Sequence, residues 1–140
     1  MKEILFNPYG PPLWINIEMA GVYLITYSYQ LWSAKNGEPA VLTNPLKQGN
    51  NIIPHDDHYP VLNDHNPTDI LTNYPGRIID VRFNVKKVEG NDNGYVLKVN
   101  ILQGLAFETA SLLDTDKVEG TVGEAGFKPE SILIKLKSVA

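Results

Sequence analysis

Apolar and polar residues alternate along much of this chain, most regularly in its second half. Over residues 79–86 every second side chain is large and apolar, and those between are Asp, Arg, Asn and Lys. A period of two residues is typical of a β-strand with one buried face and one face toward water. The alternation resumes over residues 95–101, after the turn-forming run 89–94. These two segments are predicted to form a β-hairpin, with a bulge near Lys86 and Lys87.

Three further segments carry a strand signal. Residues 22–32 are rich in β-branched and aromatic residues, and neither of their faces is truly polar, which predicts a central strand covered on much of both faces. Residues 13–19 alternate before it, with Gly21 in the connecting turn, and residues 132–136 alternate as a final strand. Residues 105–113 fit a helical stripe only in part, so we expect at most one short helix there.

The arrangement of these segments predicts the fold class. Several short strands separated by Gly, Asn, Asp and Pro, with no long helical pattern, indicate an all-β fold. We predict a β-sandwich of jelly-roll type; an up-and-down barrel is the alternative, but a regular barrel would space its strands more evenly. The 140 residues are the size of one domain. We therefore predict a single domain over residues 1–140, with a Pro-rich N-terminal arm at about 7–12 and a long irregular loop at about 44–76.

Composition and charge exclude several classes of protein. The chain has no cysteine, so disulfides, thiolate nucleophiles and Cys-ligated metals are excluded. The net charge is −4 and there is no basic stripe, so nucleic acid is not an expected partner. No apolar stretch approaches the ~20 residues that a membrane helix needs, and the N-terminal residues lack the pattern of a Sec signal peptide. We expect a soluble protein without a membrane partner, cytoplasmic by default, with export by another route left open.

The long loop holds all three histidines of the chain. Residues 48–76 contain no Lys or Arg, and clustered carboxylates without a cationic side chain favour a bound cation. Imidazole and carboxylate ligands suit a zinc-like ion, whereas carboxylates with Asn carbonyls suit calcium. One divalent ion is therefore a candidate cofactor. Its candidate ligands are His55, Asp56, Asp57, His58, Asp64, His65 and Asp69. The alternative is an ordinary solvated loop, because Asp, Asn and Pro are turn residues in their own right.

Aromatic residues at and near this loop indicate a second kind of site. Flat rings beside amides and carboxylates are suited to sugars, because the rings stack on apolar sugar faces while the polar groups bind hydroxyls. Trp32 ends a predicted strand at the mouth of the loop. Tyr59, Tyr74 and Asn63 lie within it. These four are the candidate ligand-binding residues. The alternative for each aromatic ring is a place in the core.

The motifs of the common enzyme classes are missing from the sequence. It contains no G-x-S-x-G elbow, phosphate-binding loop, dinucleotide fingerprint or H-E-x-x-H helix, so catalysis is not the expected activity. We interpret the chain as a non-catalytic binding or interaction module for a small molecule, a glycan or a protein, with the long loop as the place of recognition. One alternative is a metal-dependent protein, either a calcium-assisted sugar binder or a metalloenzyme. The other is a structural subunit of a homo-oligomer that assembles through its arm or edge strands.

Overall fold

Two β-sheets packed together form the protein. The computed structural model describes residues 1–53, 56–88, 94–123 and 126–139. Within them the strands are β1 (Lys2–Phe6), β2 (Leu13–Gly21), β3 (Tyr23–Trp32), β4 (Lys47–Asn50), β5 (His58–Pro60), β6 (Ile78–Lys87), β7 (Tyr95–Gln103), β8 (Ser111–Gly120) and β9 (Phe127–Ser138). The five-stranded sheet has the order β1-β9-β6-β3-β4, and the four-stranded sheet has the order β5-β2-β7-β8. β1 runs parallel to β9.

The predicted all-β sandwich is confirmed. The described helical structure includes two 3₁₀ turns, Leu71–Asn73 and Phe107–Thr109, and no helix of seven or more residues occurs among the described residues. The second turn lies within the segment where one short helix was expected, and β8 begins two residues after it. Among all the residues that the structure describes, no helix is long and apolar enough to cross a membrane.

The predicted hairpin is wrong, although both of its strands exist. β6 lies in the five-stranded sheet and β7 in the four-stranded sheet, so the chain passes from one sheet to the other between these two strands. Their inward faces are apolar and belong to the same core. Alternation indicates that a strand buries one face, but it does not distinguish pairing within a sheet from packing across the core. The turn-forming residues 89–93 lie outside the described residues.

Two further expectations about the strands hold only in part or are wrong. β3 lies between β6 and β4, as expected of a central strand. It fully buries only the face that begins with Tyr23, whereas on the other face Leu24 is 38% exposed and the later residues are half-buried, because a two-layer sandwich covers one face of each sheet. No bulge occurs at Lys86 and Lys87, since β6 keeps its register with β3 through Lys87. A register shift occurs instead between β7 and β8, at Ile101 and Leu102.

The long loop contributes an edge strand to each sheet. β4 pairs with β3 at the edge of the five-stranded sheet, and β5 pairs with β2 at the edge of the four-stranded sheet. The loop therefore links the two edges on one side of the sandwich. Among the apolar side chains of the loop, Val61 is buried in the core, whereas Ile52, Ile53 and Ile70 are exposed.

The Pro-rich arm is held against its own chain by a buried amide. The side chain of Gln103 donates hydrogen bonds to the carbonyl oxygens of Asn7 and Pro11, each at 2.8 Å. Its Oε1 atom accepts a bond of 3.1 Å from the Asn7 amide. Since a buried amide is costly to leave unpaired, these bonds fix the path of the arm into β2.

We expect Leu42→Ala to lower the free energy of unfolding by about 2–5 kcal/mol, because it leaves a cavity at a fully buried position. Leu46→Ala, four residues later in the chain and at the start of the loop, is the matched control. Its side chain is 39% exposed, so the loss should be below about 1 kcal/mol. Urea denaturation of both variants measures the difference, and equal losses would contradict a core position for Leu42.

Candidate ligand-binding site

The end of the long loop is organised around a buried arginine. Arg77 has a fully buried side chain, and its Nη1 atom lies 2.7 Å from Oδ2 of Asp69. Its Nη2 atom lies 3.1 Å from Oε1 of Glu38, and its guanidinium lies 4.4 Å from the centre of the Tyr74 ring. A buried charge is stable only when it is paired, so these contacts fix the ends of the loop to each other.

Both carboxylate oxygens of Asp69 have partners in this network. Its two carboxylate oxygens accept hydrogen bonds from Asn63 at 3.1 Å and from Asn73 at 2.7 Å, in addition to the Arg77 ion pair. Burial by itself raises the pKa of Asp69, but the hydrogen bonds and the Arg77 charge outweigh it and hold the pKa below its ordinary value. Asp69 is therefore an ionised anchor of the loop.

The other candidate metal ligands also have local partners or lie apart. Asp64 accepts a 2.6 Å hydrogen bond from the Asn44 amide and lies 3.6 Å from Nζ of Lys47. Oδ1 of Asp57 accepts a 2.7 Å bond from the Tyr27 hydroxyl. Asp56 and His65 are exposed.

No group of three potential metal ligands forms among the described residues. His55 lies outside them, so a metal site that includes it stays a prediction. The negative charge of the loop is more fully compensated than the sequence suggested. Lys47 and Arg77, which bound the cation-free segment, pair with its carboxylates.

The four predicted ligand-binding residues do not share one surface. Trp32 alternates with buried Leu31, so it lies on the outer face of its sheet, where its indole donates a 3.1 Å hydrogen bond to Asp80. Tyr59 instead reaches between the sheets, with its hydroxyl 2.6 Å from that of Tyr27. Tyr74 and Asn63 are buried in the loop. Three of the four therefore serve packing within the loop and core.

The outer face of the four-stranded sheet gathers a set of polar side chains that the sequence alone did not identify. Strand register places His58 opposite Asn16, Asn16 opposite Asn100, and Asn100 opposite Thr115. These four residues, here called the amide row, cross all four strands. They point outward because their neighbours along the strands, such as Ile15 and Val99, are buried.

An apolar row lies beside the amide row on the same face. It consists of Pro60, Trp14, Leu102 and Leu112, which are also paired in register across the four strands. Rings from both rows meet in an aromatic cluster, here defined as Trp14, His58 and Phe107.

The geometry of the aromatic cluster is fixed by packing and one hydrogen bond. The rings of His58 and Phe107 stack at 3.9 Å with an interplanar angle of 5°. Trp14 meets them at 6.4 and 6.3 Å, respectively. Its indole nitrogen donates a 3.0 Å hydrogen bond to the carbonyl of Gly104, so the ring is held in place.

Charged residues on the other side of the amide row balance one another. Glu18 lies opposite Lys98, and Lys98 lies opposite Lys117. Lys117 in turn lies 3.0 Å from Glu119, its neighbour on the same face. The two acidic and two basic side chains cancel, so this face carries little net charge.

Polar groups of the amide row are available to a ligand. Asn16, Asn100, Leu102 and Thr115 are among the residues that line a depression of about 380 Å³. The Thr115 hydroxyl donates a 2.5 Å bond to Oδ1 of Asn100, which orients that amide and leaves its nitrogen for another partner. Within the part of the chain that the structure describes, the Asn16 side chain makes no hydrogen bond.

Two other depressions have a different character. A groove of about 420 Å³ between the arm and the loop is mainly apolar and includes Tyr9, which is 83% exposed, and Ile70. A depression of about 510 Å³ at one end of the four-stranded sheet includes Gly21, Gly94 and Gly120, which offer backbone rather than side chains. Neither combines rings with several amide and hydroxyl groups as the sheet face does.

Comparisons of this chain with protein-family models, with curated proteins and with solved structures find no match. The geometry of the sheet face is therefore the basis for assigning a function.

One feature of the sequence did point toward this face. Trp14 interrupts the polar phase of its strand, which continues with Asn16 and Glu18. A large ring on the wet face of a strand is a signal for a surface role. Strand register cannot be read from the sequence, so the positions of Leu102 and His58 beside this ring could not be predicted.

We expect Arg77→Met to lower the free energy of unfolding by about 3–5 kcal/mol, since it leaves Asp69 buried without its cation. Lys117→Met is the control, because its ion pair with Glu119 is exposed and should contribute less than about 1 kcal/mol. Chemical denaturation measures both variants. A loss below about 1 kcal/mol for Arg77→Met would contradict the anchoring role.

The lowered pKa of Asp69 predicts a loss of stability in acid. A carboxyl whose pKa is lower in the folded state stabilises the protein at pH values above its ordinary pKa of 3.8. This contribution to the free energy of unfolding is lost as the pH falls through the folded-state pKa. Asp69→Asn should therefore be less stable near neutral pH but lose less of its remaining stability between about pH 6 and about pH 3. Denaturation curves measure this, with Asp56→Asn at an exposed position as the control. If the free energy of unfolding of Asp69→Asn fell with pH as steeply as that of the unaltered protein, the ionised-anchor role of Asp69 would be contradicted.

Proposed function

We propose that this protein is a non-catalytic module that binds carbohydrate on the outer face of its four-stranded sheet. The observation that carries the proposal is the amide row lying beside the aromatic cluster. Sugar hydroxyls require paired donors and acceptors, which Asn16 and Asn100 offer, and the apolar C–H faces of a sugar ring stack on aromatic rings. A few convergent polar groups beside apolar surface are the usual composition of a ligand site.

The charge of the face supports a neutral sugar. An acidic saccharide would require an excess of Lys or Arg near its carboxylates or sulfates. Lys98 and Lys117 are instead matched by Glu18 and Glu119 on the same face. Amide groups carry no net charge and bind hydroxyls as donors and as acceptors.

A binding role is favoured over hydrolysis by the number of carboxylates at the depression. Most glycoside hydrolases use a pair of carboxyl groups on either side of the scissile bond. Glu18 is a lining residue, but no second Asp or Glu lines the depression among the described residues. A single carboxylate supports binding or orientation of a ligand rather than this reaction.

The two alternatives from the sequence have less support. A metal-dependent function relies on loop residues of which Asp64 and Asp69 have cationic partners. Assembly through the arm relies on a segment that Gln103 holds against its own chain. Neither alternative is favoured by a specific contact, and both stay predictions.

A glycan array that includes neutral and acidic polysaccharides tests the proposal. We expect retention on neutral glycans, confirmed by isothermal titration with the soluble polysaccharide that gives the strongest signal. An absence of binding to every glycan would overturn the proposed function. Selective binding of acidic glycans would contradict the argument from charge.

Substitutions in the amide row should weaken binding without unfolding the protein. Asn16→Ala and Asn100→Ala each remove hydrogen bonds worth about 0.5–1.5 kcal/mol, so the dissociation constant should rise by about twofold to tenfold for each. Asn84→Ala is the matched control, because Asn84 is an exposed asparagine on the outer face of the other sheet. Titration and thermal melting of all three variants make the measurement. An Asn84→Ala effect as large as the others would count against this face as the site.

A further inference from the structure

We infer that the ligand is an extended, neutral polysaccharide, bound through the interior of its chain and lying across the β-strands along the amide row. This inference rests on the proposed function and specifies the shape and direction of its ligand.

The direction follows from strand register. The amide row includes one residue from each of β5, β2, β7 and β8, at positions directly opposite one another. It therefore runs perpendicular to the strands. Adjacent strands are about 4.8 Å apart, so the row spans about 14 Å, which is close to the length of about three linked sugar rings. A row of this length offers equivalent contacts to successive units of a chain.

The ends of the row explain why the interior of a chain would be bound. β5 and β8 are the edge strands of the four-stranded sheet, so the row begins and ends at a sheet edge. The depression follows the row over β2, β7 and β8, where Asn16, Asn100 and Thr115 line it. At the β5 end the row continues as His58, whose ring stacks on Phe107. No strand of the sheet lies beyond either end of the row in the described residues. A chain can thus continue past both edges, whereas a site for a chain terminus or a single sugar requires an enclosing wall.

The two rows together define how the chain would lie. On β5, β2 and β7, the residue of the apolar row lies two positions along the strand from the residue of the amide row. This separates the two rows by about 6.8 Å. A ring placed between them can direct hydroxyl groups toward Asn16 and Asn100 while its apolar face contacts Trp14 and Leu102. This asymmetry repeats from strand to strand, so it suits a ligand that repeats its own polar edge and apolar face.

Binding as a function of ligand length tests this inference. The probes are β-1,4-linked oligomers of glucose, mannose and xylose with one to six units, measured by isothermal titration with the full chain. For the oligomer type that binds, affinity should rise at least about tenfold from one unit to about four, and then level off. Reduction of the terminal aldehyde should leave the affinity of the longest oligomer unchanged.

The possible failures are distinguishable. If no oligomer and no glycan on the array binds, the proposed function and this inference both fail. If a single sugar binds as tightly as the longest oligomer, or if modification of the chain end abolishes binding, the protein binds carbohydrate but the inference is wrong. The same holds if only glycans other than neutral extended chains are bound.

A variant at one end of the two rows gives an independent test. Leu112→Ala shortens an apolar-row side chain on edge strand β8 that lines the depression and is 59% exposed, so the Asn100 amide keeps its partner Thr115. It should weaken binding of an oligomer of about four units by at least about threefold, and weaken binding of a dimer less, because only the longer ligand spans the rows. Leu133→Ala, at an exposed leucine on the outer face of the five-stranded sheet, is the matched control. Equal effects of Leu112→Ala on short and long oligomers would overturn a ligand lying across the strands.

Discussion

The buried charge of Arg77 has to be neutralised inside the protein, and the long loop is arranged to do this. Glu38 precedes the loop, Asp69 lies within it, and Tyr74 places its ring against the guanidinium. A charge without these partners would destabilise the fold, so the path of the loop is a condition of burying Arg77 at all. The same path brings β5 to the edge of the four-stranded sheet, and β5 carries His58 of the amide row.

Much of the fold could be predicted from the alternation of apolar and polar residues, because this pattern identifies the strands and the side chains that they bury. It did not contain the partners of each strand. β6 and β7 were correctly predicted as strands but not as members of different sheets, since a strand buries one face in either arrangement. The strands β4 and β5 have four and three residues, which is too short for a periodic signal, and the sheet edges were therefore not predicted.

The site was less predictable than the fold, for a related reason. Loop aromatics such as Tyr59 and Tyr74 resembled ligand-binding residues in sequence but pack inside the protein, because Tyr27 and Arg77 are available to them only after folding. The pairing of two loop carboxylates, Asp64 with Lys47 and Asp69 with Arg77, could not be predicted from the sequence because it depends on the path of the folded loop. Trp14 could be recognised in the sequence as a large ring on a polar face, but its neighbours Leu102 and Phe107 come from other elements.

β5 has only three residues, and it belongs to the long loop rather than to a continuous hairpin of the sheet. Short edge segments open locally at a lower free energy than the core of a domain. Each such opening would remove His58 from the amide row and leave a shorter row on β2, β7 and β8. If this face is the carbohydrate site proposed above, the stability of the β5 pairing would set the fraction of molecules with a complete site, and a bound sugar would in turn favour that pairing. Sugar affinity and loop stability would then be one linked equilibrium.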